Sequence, residues 1–93
     1  MLNKKQIAFF KISLELRREQ IKSNLETISD NLSLLEQQLG ELDEIELALS
    51  RIKNNLYGIC EMCEEEITLE RLESKIFAKY CITCRKIVEK DYS

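Results

Sequence analysis

The chain has no histidine and no proline, and only two glycines in 93 residues. Each absence closes a class of function. Histidine is the side chain whose ordinary pKa suits acid–base work near neutrality, so its absence argues against hydrolytic or proton-transfer catalysis. Two glycines cannot build a glycine-rich loop that cradles phosphate, and no nucleophile has an obvious base. No uninterrupted apolar run is long enough to cross a bilayer. The opening MLNKKQIAFF lacks the apolar core and small-residue cleavage site of a signal peptide, so the expected compartment is the cytoplasm, with no membrane partner. Lack of proline, with 33% charged residues, points to a helix-rich protein.

What the chain does have is four cysteines, Cys60, Cys63, Cys81 and Cys84, spaced as C-x2-C, seventeen residues, then C-x2-C. That layout suits a structural zinc ion, which is borderline soft, favours tetrahedral thiolate coordination and has no redox chemistry of its own. Four sulfur ligands leave no open position for water or substrate, so one Zn²⁺ per chain would hold a fold together and catalyse nothing. Chains this short often need such a staple because they bury little apolar surface. A disulfide framework is the competing reading, and a reducing compartment disfavours it. Four thiolates and one Zn²⁺ would take the formal charge from −3 to −5, which argues against direct DNA binding.

The charges are sorted along the chain. Residues 1–22 carry six basic side chains against Glu15 and Glu19, whereas residues 23–50 carry seven acids and no base. Over the same stretch Ile21, Leu25, Ile28, Leu32, Leu35, Leu39, Leu42, Leu49, Ile52 and Leu56 recur at steps of three and four, with Glu46 in one slot. This is the spacing of a coiled-coil seam, and Ile7, Phe10 and Leu14 extend it upstream. Two arrangements bury it. The chain can turn near residues 29–31, where Ser, Asp and Asn favour caps and turns, and form an antiparallel hairpin. That fold would set Leu14 near Ile45, and Arg17 and Arg18 opposite Asp43 and Glu44. Alternatively, residues 21–56 form one continuous helix that dimerises. Both patterns together favour the hairpin, with monomer and coiled-coil dimer left open.

The expected fold is therefore mainly α: a two-helix antiparallel hairpin over residues 1–56, joined to a four-cysteine zinc-finger domain over residues 57–93. Tyr57-Gly58 reads as the stop of the second helix. Ile67, Leu69, Leu72, Ile76, Phe77 and Tyr80 supply a small core over the metal. Residues 82–91 read as a closing helix with Ile82, Ile87 and Val88 on its apolar side. Lys75, Lys79, Arg85, Lys86 and Lys90, interleaved with Phe77 and Tyr80, make a modest basic group. It either contacts nucleic acid or offsets the thiolates and the acids Glu61, Glu64, Glu65 and Glu66.

On Tyr57-Gly58-x-Cys60-x-x-Cys63, Ile67, Arg71-Leu72-Glu73, Ala78 and Cys81-Ile82-x-Cys84, the sequence resembles the DksA/TraR family of bacterial RNA polymerase regulators. Ala48-Leu49-Ser50-Arg51-Ile52 is similar to the end of that family's second coiled-coil arm, and LNKKQIAFFKISLELRREQI to its opening helix. The resemblance implies a transcription regulator without enzymatic activity. Its zinc domain would sit at the rim of the polymerase secondary channel, its hairpin would point inwards, and guanosine tetraphosphate would be a candidate ligand of the interface. The alternatives are a zinc-stapled coiled-coil adaptor for another protein, or a weak nucleic-acid-binding finger. Three departures stand out. No Asp-x-x-Asp-x-Ala tip motif occurs, leaving Glu26 and Asp30 as the candidate tip acids. The arms look short for the family. Glu64 and Ile76 stand where members commonly carry Gly and Pro, so Glu64 must either accept left-handed backbone or shift the turn.

Overall fold

A computed structural model describes residues 2–28 and 30–92, with the side chains of residues 90–92 left undescribed. Four helices follow in order: α1 (Lys4–Thr27), α2 (Leu32–Lys53), α3 (Leu69–Ser74) and α4 (Ile82–Tyr92). Asn3 starts α1 through a reciprocal capping box with Gln6, each side chain bonding the other's backbone N–H. α1 ends where the Ile28 N–H closes on Asn24 O, and Asn31 caps α2 by accepting from the Leu34 N–H. The reversal thus spans residues 28–31, although Ser29 lies outside the described residues.

α1 and α2 pack on one another as an antiparallel hairpin, so the seam is buried within one chain and the continuous dimerising helix is not adopted. Phe10, Leu14 and Ile21 of α1 meet Ile45 and Ala48 of α2, with Leu25, Leu42, Leu49 and Ile52 partly covered beside them. Leu14 and Ile45 are both fully buried. The seam differs from the heptad reading nearer the tip, where Leu32 and Leu39 are exposed. A straight helix drifts about 20° per heptad against a 3.5-residue repeat, which carries Leu39 off the contact line and brings Ile45 onto it in place of Glu46.

The charge register also differs from the expected one. Arg17 pairs with Glu41 at 2.7 Å and Arg18 with Glu46 at 3.4 Å, not with Asp43 and Glu44. Adjacent residues on a helix diverge by about 100°, so the two guanidinium groups leave on opposite sides of the seam and reach its flanking acids. Both pairs are partly exposed and contribute little to stability.

α2 stops before Tyr57-Gly58. Asn55 takes left-handed backbone at φ 61°, its N–H bonds Ile52 O, and the Leu56 N–H returns to Arg51 O at 2.7 Å. This double closure is a Schellman stop, with Asn in the place usually held by Gly. Gly58 serves elsewhere, at φ 84° in the turn that enters the first cysteine pair. The buried cluster does not end with the hairpin but continues through Tyr57, Cys60, Ile67, Leu72, Ala78 and Cys84. Phe10 and Tyr57 rings lie 5.7 Å apart across that junction. With a radius of gyration of 14.3 Å, against roughly 12 Å for a compact chain of this length, the shape is a knob with a stalk.

Candidate metal centre

The first cysteine pair sits in a tight knuckle between Ile59 and Glu66, which form an isolated antiparallel bridge. The Cys60 N–H donates to Glu65 O at 2.7 Å, and the Glu64 N–H donates back to Cys60 O at 3.0 Å. Closing that loop requires left-handed backbone at Glu64, at φ 64°. Of the two outcomes open to this residue, strain is the one adopted. The second pair is set by α4. Cys81 immediately precedes that helix, and its Sγ receives the Cys84 N–H at 3.5 Å. The knuckles are laced together by the Glu61 N–H donating to Lys79 O at 2.8 Å.

All four Sγ atoms lie within 4.8 Å of one another, and Cys63 and Cys81 are 3.8 Å apart. A tetrahedron with Zn–S bonds of about 2.3 Å has sulfur–sulfur edges of roughly 3.8 Å. A single structural zinc ion therefore fits the cluster. The thiol chemistry agrees. Burial works against ionising Cys60, but the backbone N–H groups of Cys63, Cys81 and Met62 outweigh it and hold its pKa at about 6. Burial and the neighbouring sulfurs push Cys84 up. Cys63 is also raised: the Glu65 N–H favours its thiolate, but desolvation and the adjacent sulfurs of Cys60 and Cys81 prevail. Four thiolates this close do not all ionise without a cation among them, which a divalent metal supplies.

Three side chains outside the cysteine motif hold the cage in place. Arg51, at the end of α2, donates to the carbonyls of Leu56 and Ile59 and pairs with Glu61 at 3.6 Å. Arg71 of α3 donates to Tyr80 O at 2.8 Å, just before the second knuckle. Tyr57 buries its ring and donates its hydroxyl to Ile76 O at 2.6 Å; burial raises its pKa. Sequence reading picked out these residues as matches to a pattern but not as clamps. The signal available was their placement: each sits within a few residues of a turn whose carbonyls need donors.

The closing helix also departs from the expected orientation. Ile82 and Ile87 are exposed, while Cys84 is buried and Val88 half-buried. The sulfur cluster fixes which face of α4 turns inwards, and apolar content does not. Ile67 and Leu72 form the small core as expected, but Leu69 is 39% exposed. The basic side chains are largely engaged: Lys79 reaches Glu44 at 3.6 Å, Arg85 pairs with Glu89 at 2.7 Å, and Lys75 lies over the Phe77 ring. At the other end of the hairpin Glu26 and Asp30 are both exposed, and neither has an ion-pair partner among the described residues. None of the described helices is long and apolar enough to cross a membrane.

Comparison with known proteins bears on both halves of the molecule. Residues 55–90 match the model of the prokaryotic dksA/traR C4-type zinc finger. An uncharacterized protein of Aquifex aeolicus is 42% identical over 66 residues, covering 71% of this chain and 44% of that protein. The RNA polymerase-binding transcription factor DksA of Buchnera aphidicola is 38% identical over 48 residues, covering 52% of this chain and 32% of that protein. The matches thus span 32% to 44% of the length of these curated relatives. Among solved structures, transcription factor DksA2 from Pseudomonas aeruginosa superposes with a TM-score of 0.86 at 26% identity, over 97% of this chain and 88% of that one.

Proposed function

The chain belongs to the DksA/TraR family, and from that premise we propose that it is a non-catalytic transcription regulator that docks on RNA polymerase near the secondary channel. In this reading residues 57–93 form a zinc-finger domain ligated by Cys60, Cys63, Cys81 and Cys84, and residues 1–56 form the arm that it presents. The observation that carries the proposal is the union of the two parts. A four-sulfur cage is built directly onto the open end of an antiparallel hairpin, with Tyr57, Phe10 and Arg51 packed or bonded across the joint.

The physical logic is that of a fixed probe. Helices of 24 and 22 residues extend about 35 Å, which sets the distance between the knob and the tip. The tip would deliver negative charge through Glu26 and Asp30, acting on its target by sterics and electrostatics without making or breaking a bond. Zinc supplies rigidity at the base, because folding and metal binding are coupled in so small a module. Arg71, Lys75, Lys79 and Arg85 line one recess beside Phe77. Glu44 lines it too, and Lys79 and Arg85 are paired with Glu44 and Glu89, so guanosine tetraphosphate enters as a ligand of the interface through the family resemblance alone. A cytoplasmic location follows from such a partner.

The test is a pull-down of purified core polymerase by the zinc-loaded protein, followed by transcription in vitro with and without it. Binding at micromolar concentrations and a change in initiation support the proposal. No binding, or binding without any effect on transcription, overturns it. Charge removal at Glu26 and Asp30 should leave polymerase binding intact and lower the transcriptional effect.

A further inference from the structure

The back of α1, facing away from α2, carries a second apolar line. Phe9, Ile12 and Leu16 are 63%, 58% and 61% exposed, and their steps of three and four place them on one face. The same line continues to Lys5 before them and Glu19 after them, each seven residues from Ile12. Both charges are exposed, and neither has an ion-pair partner among the described residues. A positive charge, three apolar side chains and a negative charge, spaced symmetrically about a central isoleucine, make a self-complementary surface.

We infer that this face is an interface with a second copy of the chain, formed by two α1 helices crossing antiparallel about a two-fold axis at Ile12. In an isologous contact, if residue i meets residue j of the second copy then j meets i, and only a residue on the axis meets its own counterpart. Antiparallel pairing about Ile12 sets each Lys5 opposite the second copy's Glu19, about 10 Å to either side of the axis. Phe9 then lies level with the second copy's Leu16. The fold has a receptor for that leucine: a largely apolar recess of about 610 Å³ beside Phe9, walled by Phe10, Leu69 and Ile76, with Lys5 and Glu73 also lining it. A parallel arrangement would place like charges together at both ends and would leave the leucine without the recess. The contact is one helix face long, smaller than a standard interface, so the association is weak, with a Kd in the micromolar range or above. It is independent of the seam between α1 and α2 and does not require polymerase.

Sedimentation equilibrium of the zinc-loaded full chain, from about 10 to 500 μM at low salt, tests the inference. The wild type should move toward twice its monomer mass with rising concentration. Ile12→Asp should remain a monomer throughout while keeping its helical circular dichroism and its zinc. Lys5→Glu and Glu19→Lys should each weaken association roughly three- to tenfold, since each creates two like-charge pairs. The double variant K5E/E19K should return to wild-type affinity. A wild type that stays monomeric at 500 μM overturns the inference. So does an Ile12→Asp variant that dimerises normally, or a double variant that fails to recover.

Discussion

Glu64 stands in left-handed backbone at φ 64°, the conformation that costs an L-residue with a Cβ about 1–2 kcal/mol. Replacing it with glycine removes that cost and adds the extra chain entropy that glycine loses on folding, roughly 0.5–1 kcal/mol. The expected net gain is about 0.5–1 kcal/mol. No contact offsets it, because the Glu64 side chain is exposed and the bond from its N–H to Cys60 O belongs to the backbone. At about 4–8 °C per kcal/mol for a domain of this size, the zinc-loaded Glu64→Gly variant should melt about 2–8 °C above wild type. Because knuckle closure and metal binding are linked, competition with a chromophoric chelator should show about two- to fivefold tighter zinc. Glu64→Ala separates strain from charge: it removes the carboxylate beside the thiolates but keeps the Cβ. If Ala raises melting temperature and affinity as much as Gly does, charge is the cause and the backbone argument is wrong. A Gly variant no more stable than wild type refutes it outright.

Other perturbations test neighbouring parts of the same joint. Gly58→Ala puts a Cβ on a residue at φ 84° and within 2.9 Å of Leu2 Cδ1, so it should destabilise by about 1–2 kcal/mol, read by thermal unfolding. Tyr57→Phe leaves Ile76 O without its donor while keeping the ring on Phe10; urea unfolding should show a loss of about 1–2 kcal/mol. Removing zinc with a strong chelator, or replacing Cys60 with Ser, should unfold residues 57–93 and fray the start of α1. Amide exchange would reveal this, and protection persisting around Tyr57 would contradict it. Cys60 has a folded pKa near 6, below the ordinary thiol value, so its thiolate contribution is complete above the unfolded pKa. That contribution is lost as pH falls through about 6. Because protons compete with the metal for all four thiolates, zinc affinity should fall as pH is lowered, which atomic absorption after gel filtration at each pH would check.

The sequence was most legible where its constraints did not compete. Cysteine spacing announced the sulfur cluster because four zinc ligands need that pattern whatever surrounds them. Apolar and charge patterns together announced the hairpin, since only antiparallel pairing of α1 and α2 served both. Legibility failed where two constraints competed. The apolar residues of α4 suggested one inward face, but the metal cluster dictated another and left Ile82 and Ile87 in solvent. Gly58 looked like a helix stop because glycine usually serves there, while Asn54-Asn55, which tolerates left-handed backbone almost as well, had already ended α2. Register was blurred toward the tip because a straight helix does not keep a seven-residue repeat, so Leu39, read as part of the seam, faces solvent, while Ile45 is buried with Leu14 as expected. The short helix α3 is too brief to show periodicity at all; its one local sign was Thr68, whose hydroxyl caps the Arg71 N–H.

One of these failures bears on function. The misread helix stop lies at the joint between stalk and knob, where the backbone takes three left-handed residues, Asn55, Gly58 and Glu64, within ten positions. Such conformations persist only where surrounding structure over-determines them. Here Arg51 holds the carbonyls of Leu56 and Ile59, Tyr57 is anchored to Ile76, and the sulfur cluster closes the far side. A flexible linker would have been easier to fold, but it would let the hairpin swing. A probe whose tip lies about 35 Å from its mount needs its angle fixed, because a hinge error of 10° displaces the tip by about 6 Å. The strain at Glu64 therefore makes sense as the cost of a rigid joint, and under the proposed function loosening the joint should damage regulation before it damages zinc binding.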